Sequence, residues 1–285
     1  MRDAHSMIAG FLLFAGMACC GAAEEPVLTV RKFSFPAPSD MDRAEVYAVQ
    51  TVANPEGVLV LCPGCNGSGE GLVKSRVWQK FSRENRLGLL GISFASPSKF
   101  HTADSGRGYY HASQGSGQAL LDAIEKIYGK DLPILLYGVS GGAHFTSRFE
   151  EWKPERVRAW CAYSAAWWDE PKKNPASPPG IVGCGDYDAS RYGVSLIYFK
   201  QGRALGKPWL WVSLPKIGHA STGPFEEFVR AWFAGVLRND PKFGSWVDVD
   251  RKDLISPSEA ESVPSVSGWL PDKKLFEVWR TIHEP

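Results

Sequence analysis

The middle of this chain is built from short, uninterrupted apolar runs separated by stretches in which apolar residues recur every three or four positions. Residues 58–61 (Val-Leu-Val-Leu), 87–94, 132–137 and 157–163 are nearly continuous apolar runs bounded by turn residues, the signature of strands buried on both faces. Between two of them, Ala119, Leu120, Ala123, Ile124 and Ile127 fall at helical spacing and stop at Gly129, which predicts an amphipathic helix. The alternation continues, predicting helices over 77–84, from 143, over 190–205 and over 225–237, with strands around 181–182 and over 209–214. Earlier, 27–35 and 45–52 carry β-branched and aromatic residues in rough alternation, as an antiparallel hairpin does. Strand and helix exchanging at this rhythm predict an α/β fold, with a mostly parallel central sheet covered by helices on both faces.

The N-terminus breaks this rhythm. Arg2, an apolar run over 7–18 and the small residues Gly21, Ala22 and Ala23 read as a secretory signal peptide over 1–23. The apolar run is about a dozen residues, short of the roughly 20 that span a bilayer, so no integral membrane span is expected. Cys19 and Cys20 after Gly16-Met17-Ala18 faintly resemble a lipoprotein processing site, with Gly16 where Leu is usual, so a lipid anchor at either cysteine is a second reading. The expected layout is an exported protein, secreted or periplasmic, with a catalytic domain over 24–240. Residues 241–285 are expected to pack back on it through Trp269, Leu270, Leu275, Phe276 and Trp279.

Composition narrows the function classes. At 285 residues and 44% hydrophobic content the chain can bury the core of one large domain. Its 32 basic against 31 acidic side chains leave a net charge of +1, too little to gather nucleic acid or an anionic membrane. Cys62, Cys65, Cys161 and Cys184 follow the leader. An exported compartment allows one disulfide among them as readily as four buried thiols. Cys62 and Cys65 have the spacing of half a zinc or redox site, but no second pair accompanies them, so no metal or other cofactor is expected.

The chemistry gathers at three loops. Gly138-Val139-Ser140-Gly141-Gly142 matches G-x-S-x-G between a predicted strand and a predicted helix. A nucleophile on so tight a turn needs minimal side chains two residues before and after it. A serine hydroxyl also needs a base, and His219 is the candidate, in the short loop between the 209–214 strand and the next helix. In a parallel sheet the loops after strand carboxyl ends share one edge, where Ser140 and His219 can meet. The base needs a carboxylate. Asp188 is preferred and Asp186 is the alternative, both following the strand at 181–182. The oxyanion of a tetrahedral intermediate needs preset N–H donors, expected from Gly141 and from Cys65 in the loop Pro63-Gly64-Cys65-Asn66-Gly67-Ser68-Gly69. Asn66, Tyr109, Tyr110, Trp167 and Trp168 are candidate substrate contacts, the two tryptophans as an aromatic wall.

The order Ser140, Asp188, His219, with the Gly64 loop upstream, resembles the α/β-hydrolase superfamily from about Val58 to Leu237. Pro63-Gly64 replaces the family's common His-Gly opening. Within the superfamily the chain looks most like compact secreted esterases related to dienelactone hydrolases and polyester depolymerases. The resemblance implies cleavage of a carboxylic ester, small or polymer-borne, through an acyl-enzyme on Ser140. The short interval from 140 to 188 implies no large cap domain. The competing readings are a serine peptidase of the same fold and a non-catalytic exported binding protein. All three residue types standing in order argue against the latter.

Overall fold

The computed structural model describes residues 28–102, 105–239 and 244–284. The expected signal peptide over 1–23 and the anchor reading at Cys19 and Cys20 lie outside the described residues. An eight-stranded sheet forms the centre, from β1 (Val30–Ser34), β2 (Arg43–Val49), β3 (Gly57–Cys62), β4 (Leu87–Ala95), β5 (Ile134–Val139), β6 (Val157–Tyr163), β7 (Gly180–Gly185) and β8 (Trp209–Leu214). Its spatial order is β1-β2-β4-β3-β5-β6-β7-β8. β1 and β2 pair antiparallel, β2 pairs antiparallel with β4, and every pairing from β4 to β8 is parallel. The whole lengths of β3, β4 and β7 are buried, as the unbroken apolar runs require of strands covered on both sides.

The covering helices are α1 (Glu70–Val73), α2 (Arg76–Glu84), α3 (Ser116–Tyr128), α4 (Gly141–Trp152), α5 (Ala189–Ala204) and α6 (Gly223–Arg238). α3 buries Ala119, Leu120, Ala123 and Ile124 and ends at Gly129 in the left-handed region, φ +67°. α6 starts two residues before the predicted 225. Thr222 caps it by accepting the Phe225 N–H, and Pro224 occupies the first turn, where its missing N–H costs nothing. That helix buries Phe225, Phe228, Val229, Trp232, Phe233 and Val236, side chains that each contribute about 1.5–3 kcal/mol when removed from water.

The C-terminal residues make more structure than the sequence suggested. β9 (Ser245–Asp248), β10 (Asp253–Ile255) and β11 (Ser267–Leu270) form a separate antiparallel sheet, accompanied by α7 (Pro257–Ser262) and α8 (Phe276–Ile282). Trp269, Leu270 and Trp279 are buried, while Leu275 and Phe276 are only partly covered. Trp269 meets Trp232 of α6 edge-on, and the Trp279 indole N–H donates to the Trp211 carbonyl of β8 at 2.9 Å. Among the described residues, no helix is long and apolar enough to cross a membrane. Among the described residues Cys62, Cys65, Cys161 and Cys184 are free thiols, with Cys65 exposed and the other three buried.

The parallel register levels the carboxyl ends of the central strands. Cys62 stands opposite Gly138, Val139 opposite Tyr163, and Gly185 opposite Leu214. The loops bearing Cys65, Ser140, Asp188 and His219 therefore leave the sheet along one edge.

Candidate active site

Ser140 sits between β5 and α4 with φ +55° and ψ −115°, a conformation that L-residues adopt only under constraint. Its N–H is held by the Tyr163 carbonyl of β6 at 2.8 Å, while its carbonyl already accepts the Ala143 N–H of α4 at 2.9 Å. The flanking glycines are forced by close approach. A β-carbon on Gly138 would lie 2.3 Å from the Gly142 carbonyl oxygen, and one on Gly142 would lie 2.1 Å from that of Cys62. Only a backbone without side chains can turn this sharply, and the turn thrusts the serine hydroxyl off the end of the sheet.

There the hydroxyl meets the imidazole. His219 Nε2 is 2.9 Å from Ser140 Oγ, and His219 Nδ1 is 2.7 Å from Asp188 Oδ2. The Asp188 carboxylate is buried, whereas the His219 side chain is 40% exposed, so the array opens to solvent at the imidazole and closes at the acid. Burial pushes the Asp188 carboxyl up, but the hydrogen bonds from His219 and Arg191 outweigh it and hold the carboxyl below its ordinary value. The second oxygen, Oδ1, accepts from Arg191 Nη1 at 2.9 Å. Sequence reading passed over Arg191, although it stands one helical turn after Asp188, a spacing that brings side chains together.

The choice between the two aspartates is made by backbone bonds joining the loops after β7 and β8. The Asp186 N–H donates to the Leu214 carbonyl at 3.0 Å and the Tyr187 N–H to the Ile217 carbonyl at 3.0 Å. The Asp186 carboxylate is occupied elsewhere, accepting the Lys216 N–H at 2.6 Å. Asp186, the alternative acid, therefore braces the loop that carries His219 and does not reach the imidazole. Tyr163 holds that loop from the other side, its hydroxyl donating to the Ala220 carbonyl at 2.9 Å.

The loop after β3 lies against the start of α4. A β-carbon on Gly141 would fall 2.7 Å from the Cys65 backbone nitrogen, so the Cys65 backbone packs directly on Gly141, the residue after Ser140. The Asn66 side chain is not free to meet a substrate. Its Nδ2 donates to the Ser96 carbonyl and its Oδ1 accepts the Ser96 N–H, each at 3.0 Å. These bonds hold Asn66 at φ +53°, and Arg43 Nη2 donates to its carbonyl at 2.7 Å. Asn66 is thus a staple of the loop. The Cys65 thiol faces outward, 3.3 Å from His101 Nδ1.

The aromatic candidates divide. Tyr109 and Tyr110 are buried, with ring centroids 4.5 Å apart, and Tyr110 continues to His144 and Trp167. Trp167 stacks on His144 at 4.1 Å. Burial and the Arg148 charge keep that histidine well below its ordinary pKa, and its Nε2 accepts the Ala166 N–H at 3.2 Å. Trp168 instead packs on α5, donating to Ser195 Oγ at 3.1 Å and stacking on Tyr198 at 4.3 Å. The expected two-tryptophan wall is therefore not formed, because adjacent residues here serve different helices. A cavity of about 880 Å³ lies between α6, α8 and the loop after β8, and none of Ser140, Asp188 and His219 lines it. Among the described residues, no group of three or more His, Cys, Asp or Glu side chains is placed to hold a metal ion.

Solved structures share this architecture. The substrate-bound fluorophosphonate-binding serine hydrolase F of Staphylococcus aureus superposes with a TM-score of 0.53 at 11% identity, covering 75% of this chain and 100% of that one. An esterase from the hyperthermophilic archaeon Pyrobaculum calidifontis gives 0.54 at 13%, covering 75% and 87%. The fold is that of the α/β-hydrolases. Poly(aspartic acid) hydrolase-1 from Sphingomonas sp. KT-1 is similar as well, with a TM-score of 0.51 at 18% identity over 71% of this chain and 97% of that one. No family model and no curated protein matches the sequence. At these identities the likeness speaks for the α/β-hydrolase fold, and the chemistry has to be argued from the residues at the sheet edge.

Proposed function

We propose that this protein is an exported serine hydrolase that cleaves carboxylic esters through an acyl-enzyme on Ser140. The observation that carries the reading is the hydrogen-bonded line from Ser140 Oγ through His219 to Asp188, with the serine held on a strained turn. Backbone strain that persists at one half-buried serine is what a preorganised nucleophile requires.

In the first half-reaction Ser140 Oγ attacks the ester carbonyl carbon while His219 Nε2 takes its proton. The carbonyl oxygen becomes an oxyanion facing the N–H groups of Gly141 and Cys65. The carbon–alkoxy bond then breaks and His219 returns the proton to the departing alcohol. In the second half a water molecule attacks the acyl carbon and gives its proton to His219. The acid leaves, and the proton returns to Ser140. Asp188, fixed by Arg191, keeps His219 Nδ1 protonated and steadies the imidazolium. The exposure of Cys65 and of the His219 imidazole supports an open site suited to small or polymer-borne esters.

A panel of chromogenic esters of graded acyl length, with fluorophosphonate labelling of Ser140, tests the reading. Ser140→Ala is expected to lose at least about a thousandfold in turnover and to take no label. Absence of an adduct on Ser140 in folded wild-type protein would leave a binding protein in its place. Faster cleavage of peptide amides than of short esters would make it a peptidase. The leader over 1–23 supports export, which N-terminal sequencing of the protein recovered outside the cytoplasm checks.

A further inference from the structure

Tyr109 belongs to the polar long loop before α3, yet it is buried to 2% exposure at the foot of the oxyanion loop. Its backbone is fixed from both sides. Its N–H donates to Ser96 Oγ at 2.8 Å, and its carbonyl accepts Ser116 Oγ at 2.9 Å. The ring packs on Tyr110, so the hydroxyl is delivered to one place. A β-carbon on Gly141 would lie 2.6 Å from that hydroxyl oxygen and 2.7 Å from the Cys65 nitrogen. The phenol and the Cys65 amide therefore converge beside the residue after the nucleophile.

The direction of the hydroxyl proton follows from what the oxygen accepts. The Asn66 N–H donates to it at 3.2 Å. An oxygen engaged as an acceptor on that side has its own proton left to give. Desolvation raises the Tyr109 pKa far above neutral, so the proton stays on. The neighbouring Tyr110 hydroxyl has both the Tyr109 hydroxyl and the Cys65 thiol beside it. The hydrogen bond between the two phenols lowers the Tyr109 pKa and raises that of Tyr110, the sense of a bond in which Tyr110 donates, so the Tyr109 oxygen accepts from both Asn66 and Tyr110 and keeps its own proton to give.

We propose that the Tyr109 hydroxyl is a third oxyanion donor, acting with the Gly141 and Cys65 N–H groups on the tetrahedral intermediate. This is a catalytic role for a side chain, beyond general substrate contact, and it rests on the ester-hydrolase reading above. Donors held in place before the charge develops need no reorganisation when it does, which is why each has a large effect.

The test is Tyr109→Phe, which keeps the ring packing and removes one oxygen. Turnover is measured on a chromogenic ester per site titrated by a fluorophosphonate. Inhibition by a trifluoromethyl ketone, whose adduct on Ser140 carries the oxyanion, is measured alongside. The expected result is a 10- to 100-fold fall in kcat with KM within about twofold, smaller than or equal to the 10²–10³ typical of losing one donor. The ketone's inhibition constant should rise by the same factor as kcat falls, at unchanged Tm. A kcat within threefold of wild type would overturn the proposal, as would a fall in kcat without weaker ketone binding. Loss of titratable sites with a lowered Tm would also overturn it, since the hydroxyl would then merely tether Asn66. If Ser140→Ala keeps full activity the hydrolase reading itself fails, an outcome separate from anything Tyr109→Phe shows.

Discussion

Replacing Ser140 by glycine is expected to abolish turnover and leave the protein more stable than replacing it by alanine. Both substitutions remove the hydroxyl and its hydrogen bond to His219, so the difference between them isolates the backbone. At φ +55° and ψ −115° a residue with a β-carbon carries about 1–3 kcal/mol of strain, which alanine retains and glycine relieves. Against this, glycine gains conformational freedom in the unfolded chain, which costs about 0.4–1 kcal/mol relative to alanine. The balance favours Ser140→Gly by about 1 kcal/mol, within bounds of roughly 0 and 2.5. Urea melts of the two variants at one pH measure it directly, and near Tm the same difference is about 2–4 °C for a domain of this size. At an unstrained position glycine would be the less stable of the two. A Ser140→Gly variant less stable than Ser140→Ala by about 0.5 kcal/mol or more would therefore refute the stored strain and the elbow argument with it.

The two aspartates should separate cleanly. Asp188→Asn is expected to lower kcat by about 10³–10⁴ by disturbing the imidazole tautomer, whereas Asp186→Asn should leave kcat within about twofold. The latter should cost at most about 1 kcal/mol through its bond to the Lys216 N–H; equal losses in kcat would undo the assignment. Iodoacetamide is expected to modify Cys65 first, because Cys62, Cys161 and Cys184 are buried and burial pushes the Cys62 thiol up to about 12. Alkylation should block turnover, while Cys65→Ala should remain active within about threefold and resist the reagent, since the proposed mechanism uses only the Cys65 backbone N–H. Inactivation of Cys65→Ala by iodoacetamide would point to a different reactive group.

What could be read before the structure was governed by local rules. Unbroken apolar runs marked β3 to β6, the heptad-like spacing of Ala119 to Ile127 marked α3, and G-x-S-x-G announced a tight turn because sterics alone demand its glycines. What stayed open or was missed shares another cause, which is dependence on partners distant in sequence. Asp188, the preferred acid, and Asp186 stand two residues apart on one loop, and local spacing ranks them without excluding either. The bonds from Asp186 and Tyr187 to the residues after β8 decide which carboxylate meets His219. Trp167 and Trp168 looked like one wall, but His144 claims the first ring and Tyr198 the second. The strands β9, β10 and β11 are only three or four residues long, too short for an alternation to register.

The C-terminal residues close the exposed edge of the central sheet, and they do so in a pH-dependent way. β8 pairs with β7 on one side only, and an open edge exposes unpaired backbone groups. Trp279 covers the Trp211 carbonyl, and His283 Nε2 accepts the Ser213 N–H at 3.4 Å. A protonated imidazole has no lone pair to offer that N–H. Burial first, and then the Lys252 charge, lower the His283 pKa from 6.5 to about 3. Because the folded pKa is depressed, the unfolded chain takes up the proton first. The stabilisation is full above pH 6.5 and is lost as pH falls, at about 1.4 kcal/mol per unit until the folded pKa is reached. Between pH 6.5 and 5 the loss is about 2 kcal/mol from this one residue. His283→Gln offers an uncharged acceptor in its place, so its urea-melt stability should fall less steeply than wild type over that interval, by the same 2 kcal/mol. His144 is lowered in the same sense, but it is common to both proteins and cancels in the comparison. Parallel pH profiles for the two proteins would mean that His283 is not buried as a neutral acceptor, and that the edge of the strand delivering His219 is held by Trp279 without it.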